Sequence, residues 1–200
     1  MAKGEAQRLV VGVSGASGAL LGVRLLHALG ELGVESHLVV SRAAALTLAQ
    51  ETGLTLADLS AKASVAYRPG EIGAAIASGS FPTRGMIIAP CSVRTMSEIA
   101  TGVTSSLMTR AADVTLKERR LLVLMVRESP LHLGHLRSMA ALAEMGAVIA
   151  PPVPAFYAGP KSLTDIVDQC VGRALDLFGW RWRAVRRWGE NVSALSEDAT

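Results

Sequence analysis

The chain offers its first chemistry in Gly12-Val13-Ser14-Gly15-Ala16-Ser17-Gly18, a glycine-rich turn directly behind an apolar run and ahead of a helical pattern. Glycines there let backbone N–H groups approach an anion, and the helix that follows adds a favourable partial charge at its N-terminus. The spacing is G-x-x-G-x-x-G, whereas a dinucleotide fingerprint needs G-x-G-x-x-G and an acidic residue after the second strand, where this chain has Ser41-Arg42. Arg42 could receive a 2′-phosphate, but a mononucleotide or a flavin fits the turn better; the bland alternative is a tight turn that only packs its helix. Tyr157 and Lys161 match the Tyr-x-x-x-Lys spacing of short-chain reductases, yet Gly159-Pro160 between them breaks the helical turn that such a pair requires.

Other reactive side chains are weaker signals. Cys91 follows an apolar segment with no neighbouring base to activate it, which favours buried packing over nucleophilic work. His132 and His135, with Glu128 ahead of them, have a ligand-like spacing but no further ligand nearby, so no metal is expected. Arg127 closes an apolar strand, where an unpaired buried charge would cost several kcal/mol, and it is therefore expected to have an anionic partner. Glu128 beside it is either that ion-pair partner or an acid–base group, and Glu51 is either an acid–base group or an exposed charge at a helix end.

These residues must be positioned by alternating apolar runs and helical patterns, the rhythm of strands joined by crossover helices. Strands are expected at Arg8–Val13, Val34–Val40, near Ser64–Tyr67, at Met86–Ala89 with Pro90 as its stop, at Leu121–Val126 and at Ala147–Ala150. Helices are expected at Ala19–Leu32, Arg42–Glu51, Leu56–Leu59, Val93–Ala100, Ser105–Arg119, Leu131–Met145 and Ser162–Phe178. The fold class is α/β: a three-layer, doubly wound parallel sheet of the flavodoxin/Rossmann-like kind. Such sheets bind ligands beyond the carboxyl ends of their strands, so chemistry belongs just after Val13, Val40, Ala89, Val126 and Ala150.

Composition narrows the class. Of 200 residues, half are hydrophobic and 18% charged, which excludes a disordered chain or a coiled coil; with aromatics at 4%, the core must be aliphatic. The long uncharged run Met145–Pro160 falls short of the ~20 residues of a membrane span and holds four prolines. No signal peptide is evident, and two cysteines give no secreted disulfide framework, so a cytoplasmic protein is expected. The net charge of +3 owes much to four arginines between Arg181 and Arg187, interleaved with all three tryptophans. Nucleic acid is not the expected partner of this segment; a terminal run laid over a neighbouring subunit, arginines solvated, is. Residues 1–178 are thus expected to form a single α/β domain and 179–200 a basic Trp/Arg tail.

Three strand ends carry ordered motifs: Gly15-Ala16-Ser17-Gly18-Ala19, Ala89-Pro90-Cys91-Ser92-Val93-Arg94-Thr95 and Val126-Arg127-Glu128-Ser129-Pro130-Leu131. Together with Arg110–Asp113, Lys117–Arg120, Ala155-Phe156-Tyr157 and Arg187-Trp188-Gly189-Glu190, they resemble the flavin prenyltransferases, the UbiX-like family, over nearly the whole chain. The resemblance implies a homo-oligomer, a dodecamer, that joins the dimethylallyl group of dimethylallyl phosphate to N5 and C6 of reduced FMN without a metal. Its product, prenylated FMN, serves UbiD-type decarboxylases.

The resemblance also implies a site. Gly15, Ala16, Ser17, Ser41, Ser92, Val93, Arg94, Thr95 and Arg127 match the flavin-binding positions, with Ser17 near N5. Lys117, Arg127, Tyr157 and Arg173 match the phosphate-binding set, which in the family is shared between subunits, and Ser17, Glu51 and Glu128 are the candidate catalytic residues. Ser41 and Ser92 are equally good helix caps. Two departures bear on donor preference: Ile72 where many members carry Trp, and Ser105-Ser106 where others have Asn. The alternatives are a flavin-dependent decarboxylase of cysteine-type substrates, which needs a His near the first strand where only His27 is available, and a non-catalytic FMN carrier.

Overall fold

In the computed structural model, which describes residues 7–190 and 192, side chains of successive strand residues leave the sheet on opposite faces and seed two separate cores. Strand β1 (Arg8–Val13) sends Leu9, Val11 and Val13 to one side and Val10 to the other. The first core is closed by α1 (Ala19–Glu31), α2 (Arg42–Thr52), the short α3 (Leu56–Ser60) and α7 (Leu163–Asp176). The second is closed by α4 (Val93–Ala100), α5 (Leu107–Lys117) and α6 (Leu133–Glu144).

The remaining strands are β2 (Glu35–Val40), β3 (Val65–Tyr67), β4 (Gly85–Cys91), β5 (Leu121–Val126) and β6 (Val148–Ile149), all parallel to their neighbours in the order β3-β2-β1-β4-β5-β6. The chain winds outward from β1 to β3 and then returns to the other side of β1 for β4. That reversal opens a crevice between the ends of β1 and β4.

Two expectations need correcting. The fourth strand does not stop at Pro90: β4 continues through a cis Ala89–Pro90 peptide to Cys91, and its pairing with β5 shifts register between Ile88 and Cys91. An irregularity of this kind is where a sheet tolerates a residue that cannot donate to the ladder. The Trp/Arg segment, in turn, folds onto its own protomer. Trp182 and Val185 are buried in it, Trp182 Nε1–H donates to Glu31 at 2.8 Å, and a Cβ on Gly172 of α7 would sit 1.9 Å from Val185 Cγ2. Its arginines form ion pairs, Arg183 with Glu31, Arg181 with Glu190 and Arg187 with Asp176; Arg183 and Arg181 stay solvated, as expected, and of these three only Arg187 is largely covered. Residues 191 and 193–200 of the expected tail lie outside the described residues.

A buried polar cluster on β2 makes stability sensitive to acid. The His37 ring is enclosed, with Nδ1 2.9 Å from Tyr67 Oη and Nε2 3.0 Å from Glu35 Oε1. A carboxylate only accepts, so Nε2 carries the proton and Nδ1 accepts from the tyrosine. Burial holds the His37 pKa below its ordinary value, outweighing the opposing pull of Glu35. The unfolded chain then takes up a proton that the folded chain resists, so stability is full above about 6.5 and falls as pH drops through the folded value. Thermal melts between pH 7.5 and 5.5 should show this loss, and a His37→Gln variant should flatten it.

Candidate active site

The loops at the carboxyl edge of β1, β2, β4 and β5 enclose a cavity of about 770 Å³, within the ~300–1,000 Å³ of small-molecule sites. Gly15, Ala16 and Ser17 line it from β1, Ser41 from β2, Ser92, Val93, Arg94 and Thr95 from β4, and Arg127 and Glu128 from β5. Three helices present their N-termini to it, capped by Ser41 (from Ala44 N–H, 3.1 Å), Ser92 (from Thr95 N–H, 3.3 Å) and Ser106 (from Thr109 N–H, 3.3 Å). Ser41 and Ser92 thus cap helices and also line the cavity.

The first helix is different. Its N-cap, Gly18, has φ 104° and no side chain to offer; instead Glu51 Oε2, from the far end of α2, accepts from Gly18 N–H at 2.9 Å and Ala19 N–H at 2.8 Å. The anion drawn to the glycine turn is the chain's own carboxylate, and a phosphate at the head of α1 would be repelled by it. Burial raises the Glu51 pKa, but hydrogen bonds from the Ser17 hydroxyl and from the Ala19 and Gly18 amides, with the charge of Arg127, bring it below the ordinary value. Glu51 is thus an ionised acceptor for the head of α1 and the Ser17 hydroxyl, and it is also, as one reading expected, an exposed charge at the end of a helix.

Arg127 also departs from expectation. It lies exposed at the end of β5 and, among the described residues, forms no ion pair within 4 Å, Glu128 included. Because the guanidinium reaches out of the strand into the cavity, the cost of a buried unpaired charge does not arise. Its fork is open to an anionic ligand. Glu128 is exposed too, with one oxygen accepting from Ser129 N–H at 2.9 Å.

The other residues expected to bind phosphate, Lys117, Tyr157 and Arg173, do not line this cavity within one protomer. Lys117 ends α5, about 15 Å along the helix from its cavity-facing start, and pairs with Glu118. Tyr157 Oη lies 3.4 Å from Gln169 Nε2, and Arg173, paired with Asp176 at 2.6 Å, borders a separate cavity of about 130 Å³. Several cavity residues were not singled out in the sequence: Ala43, Pro69, Gly70, Glu98, Met108 and Thr109. Glu98 sits one helical turn after Arg94, whose Nε donates to it at 3.0 Å, and also accepts from Ser105 Oγ at 2.7 Å. That i,i+4 pairing was the available signal. Ser105 and Ser106 line the cavity, and Ile72 stands exposed on the segment that follows Pro69 and Gly70.

The remaining candidates fall away from the chemistry. Cys91 is fully buried, which pushes its thiol pKa up to about 12. His132 Nδ1 accepts from Gly134 N–H at the start of α6, and no group of three or more metal-ligating side chains occurs among the described residues. His27 lies two turns into α1 beside Glu31. Tyr157 and Lys161 are separated by Gly159 at φ 56°, so they do not share a helical face.

Close approach of the loops gives a sharp prediction at Gly15. A Cβ there would lie 2.4 Å from Ala43 Cβ, so Gly15→Ala must push the β1 loop away from α2. FMN titration by fluorescence should show binding weakened by at least about tenfold, with a folded circular dichroism spectrum.

A doubly wound parallel sheet with hydroxyls, amides and an open guanidinium at its switch point defines a protein that binds an anionic mononucleotide-sized ligand. Residues 2–175 match the family model described as Flavoprotein. The flavin prenyltransferase UbiX of Salmonella typhimurium is 57% identical over 173 residues, 86% of this chain and 92% of that protein. Among solved structures, AnUbiX (PadA1) in complex with FMN and dimethylallyl pyrophosphate aligns at TM-score 0.91 and 46% identity, covering 92% of this chain and 98% of the other. A dodecameric FMN-dependent UbiX-like decarboxylase from Escherichia coli O157:H7 aligns at TM-score 0.89 and 48% identity over 91% and 99%. The chain belongs to the flavoprotein family, in its UbiX-like flavin prenyltransferase branch. The FMN-dependent cysteine decarboxylase TvaF, at 18% identity and TM-score 0.62, shares the fold alone.

Proposed function

We propose that the protein is a flavin prenyltransferase that moves the dimethylallyl group of dimethylallyl phosphate onto N5 and C6 of reduced FMN, releasing phosphate and making prenylated FMN for a UbiD-type decarboxylase. The observation that carries this reading is the convergence of three strand-end motifs on one cavity beside an arginine that has no ion-pair partner among the described residues. The donor set suits a flavin: hydroxyls and amides exchange donor and acceptor roles at the ribityl chain and ring edges without adding charge, and Arg127 supplies a fork for phosphate.

In this reading Gly15, Ala16, Ser17, Ser41, Ser92, Val93, Arg94, Thr95 and Arg127 hold the flavin. The Ser17 hydroxyl, its proton turned toward Glu51, keeps its lone pairs for an N–H of the substrate. Glu51 is the proton acceptor reached through Ser17, and Glu128 is the second acid–base group at the cavity wall. Lys117, Tyr157 and Arg173 come from neighbouring copies and join Arg127 around the prenyl phosphate, which is why they do not meet in one protomer. The assembly is a dodecamer, as in the similar E. coli O157:H7 protein.

The exposed apolar side chains of α6 and the following segment, among them Leu133, Leu136, Val153 and Phe156, are the surface available for such contacts. No described helix is long and apolar enough to cross a membrane. The unbonded cysteines, Cys91 and Cys170, suit work in the cytoplasm. Residues 7–178 act as the flavin-binding domain, with 179–190 as its clasp.

The test is anaerobic incubation of the purified protein with reduced FMN and dimethylallyl phosphate, then mass spectrometry of the bound flavin. One added prenyl unit is expected. Unmodified flavin with both phosphate and pyrophosphate donors would leave the carrier reading. Arg173→Ala separates the two from the other direction, because it should keep FMN affinity while product formation falls by about a hundredfold or more.

A further inference from the structure

Main-chain bonds stitch several loops of the cavity together: Ser41 N–H donates to Val13 O at 2.9 Å, and Arg127 N–H to Cys91 O at 3.0 Å. Between the two loops that flank the switch point, a side chain makes the join. Ser14 N–H donates to Pro90 O at 3.1 Å, Ser14 Oγ donates to the same carbonyl at 2.9 Å, and Oγ accepts from Ser92 N–H at 2.7 Å. A serine hydroxyl has a single proton, and a backbone N–H can only donate, so the direction of all three bonds is fixed. Ser14 is fully buried and does not line the cavity. It immediately precedes Gly15–Ser17, and its partner Ser92 begins the Ser92–Thr95 segment.

The geometry points to Ser14 as a positioning residue for the flavin, a buried hydroxyl that sets the separation of the β1 and β4 loops and thereby the place of Ser17 in the cavity. The inference rests on the reading of this cavity as the flavin site. Without the hydroxyl, Pro90 O keeps one donor, the Ser14 amide, but Ser92 N–H loses its acceptor within the protein. Recovering a partner from the protein requires the β4 loop to move. Ser92 Oγ accepts from Thr95 N–H and donates to Thr95 Oγ1 at 3.2 Å, so a shift of Ser92 carries Thr95 and the head of α4 with it. Both lips of the cavity are then displaced by a residue that touches no ligand.

A second buried serine provides the control. Ser36 Oγ accepts from Ser64 N–H at 3.1 Å, while Ser64 Oγ accepts from Ser36 N–H at 3.1 Å. Ser36 is as enclosed as Ser14 but sits near the start of β2, at the opposite edge of the sheet from the cavity.

The experiment compares wild type, Ser14→Ala and Ser36→Ala by thermal melting, FMN titration, the absorption spectrum of bound FMN, and kcat and KM for prenyl transfer. Both variants should melt earlier. Only Ser14→Ala should weaken FMN by about tenfold, shift the flavin bands and lower kcat. If Ser14→Ala is recovered unfolded, Ser14→Cys replaces it, since a thiol fills a similar volume with a far weaker donor and acceptor, and the same losses are expected. FMN affinity, spectrum and kcat matching those of Ser36→Ala would overturn the inference. The outcomes stay separable from the function itself: a wild type that binds FMN but makes no product defeats the prenyltransferase reading, while the FMN affinities and spectra still decide the role of Ser14.

Discussion

Arg127→Ala should lose flavin affinity and turnover together, with kcat/KM down by about a hundredfold or more, while its melting temperature stays near that of the wild type. The asymmetry follows from its surroundings. The guanidinium stands exposed at the end of β5, lines the cavity, and pairs with no carboxylate among the described residues. Truncating it orphans no buried partner, so the fold loses little; a ligand anion loses its forked donor. Arg127→Lys should recover only part of the affinity, because an ammonium supplies the charge without the planar fork. FMN titration and steady-state kinetics beside a thermal melt would check all three quantities. Unchanged FMN affinity in Arg127→Ala would place the residue with the prenyl phosphate alone.

The strands were legible wherever an uninterrupted apolar run matched a strand's length: β1 and β5 start and stop where the pattern does. Pro90 misled because a proline normally ends a ladder, and only the register shift beside it, a tertiary feature, lets β4 continue to Cys91. The Trp/Arg segment misled for a related reason. Charge and aromatics in a terminal run suggest exposure, yet Gly172 on α7 leaves the space that Val185 fills, and Glu31 on α1 is the acceptor that Trp182 and Arg183 need.

For the site, residues just past strand ends could be read because a doubly wound sheet gathers them by construction. Pro69 and Thr109 could not, since a loop or the first turn of another helix brings them in, and Glu98 was marked only by its i,i+4 spacing from Arg94. Lys117, Tyr157 and Arg173 mark a different limit: the contacts they are proposed to make lie between copies, and no single protomer displays them. Glu51 is the clearest case. Its partners, Gly18 and Ala19, lie over thirty residues away, and no local pattern announces that a carboxylate at the end of α2 caps α1.

That placement makes Glu51→Gln the more informative substitution. An amide oxygen can still accept from Gly18 and Ala19, so the loop and the start of α1 keep their bonds, and only the favourable charge at the helix terminus is lost, about 0.3–1 kcal/mol. What disappears is the role proposed for Glu51, taking a proton through Ser17. The expected result is FMN affinity close to wild type with kcat reduced by about 10²–10⁴-fold.

The pH dependence carries the same signature. Burial of Glu51 raises its pKa, but the Ser17, Ala19 and Gly18 hydrogen bonds and Arg127 bring it below 4.5, so the carboxylate is ionised across the neutral range. Activity that needs the ionised form should hold at neutral pH and fall only as pH drops toward that lowered value, and the Gln variant should lack this limb. Glu128, exposed and bonded to its own neighbour's amide, is the natural comparison. A large kcat loss in Glu128→Gln with a normal rate in Glu51→Gln would transfer the proton-accepting role to the cavity wall and leave Glu51 as the structural cap of α1.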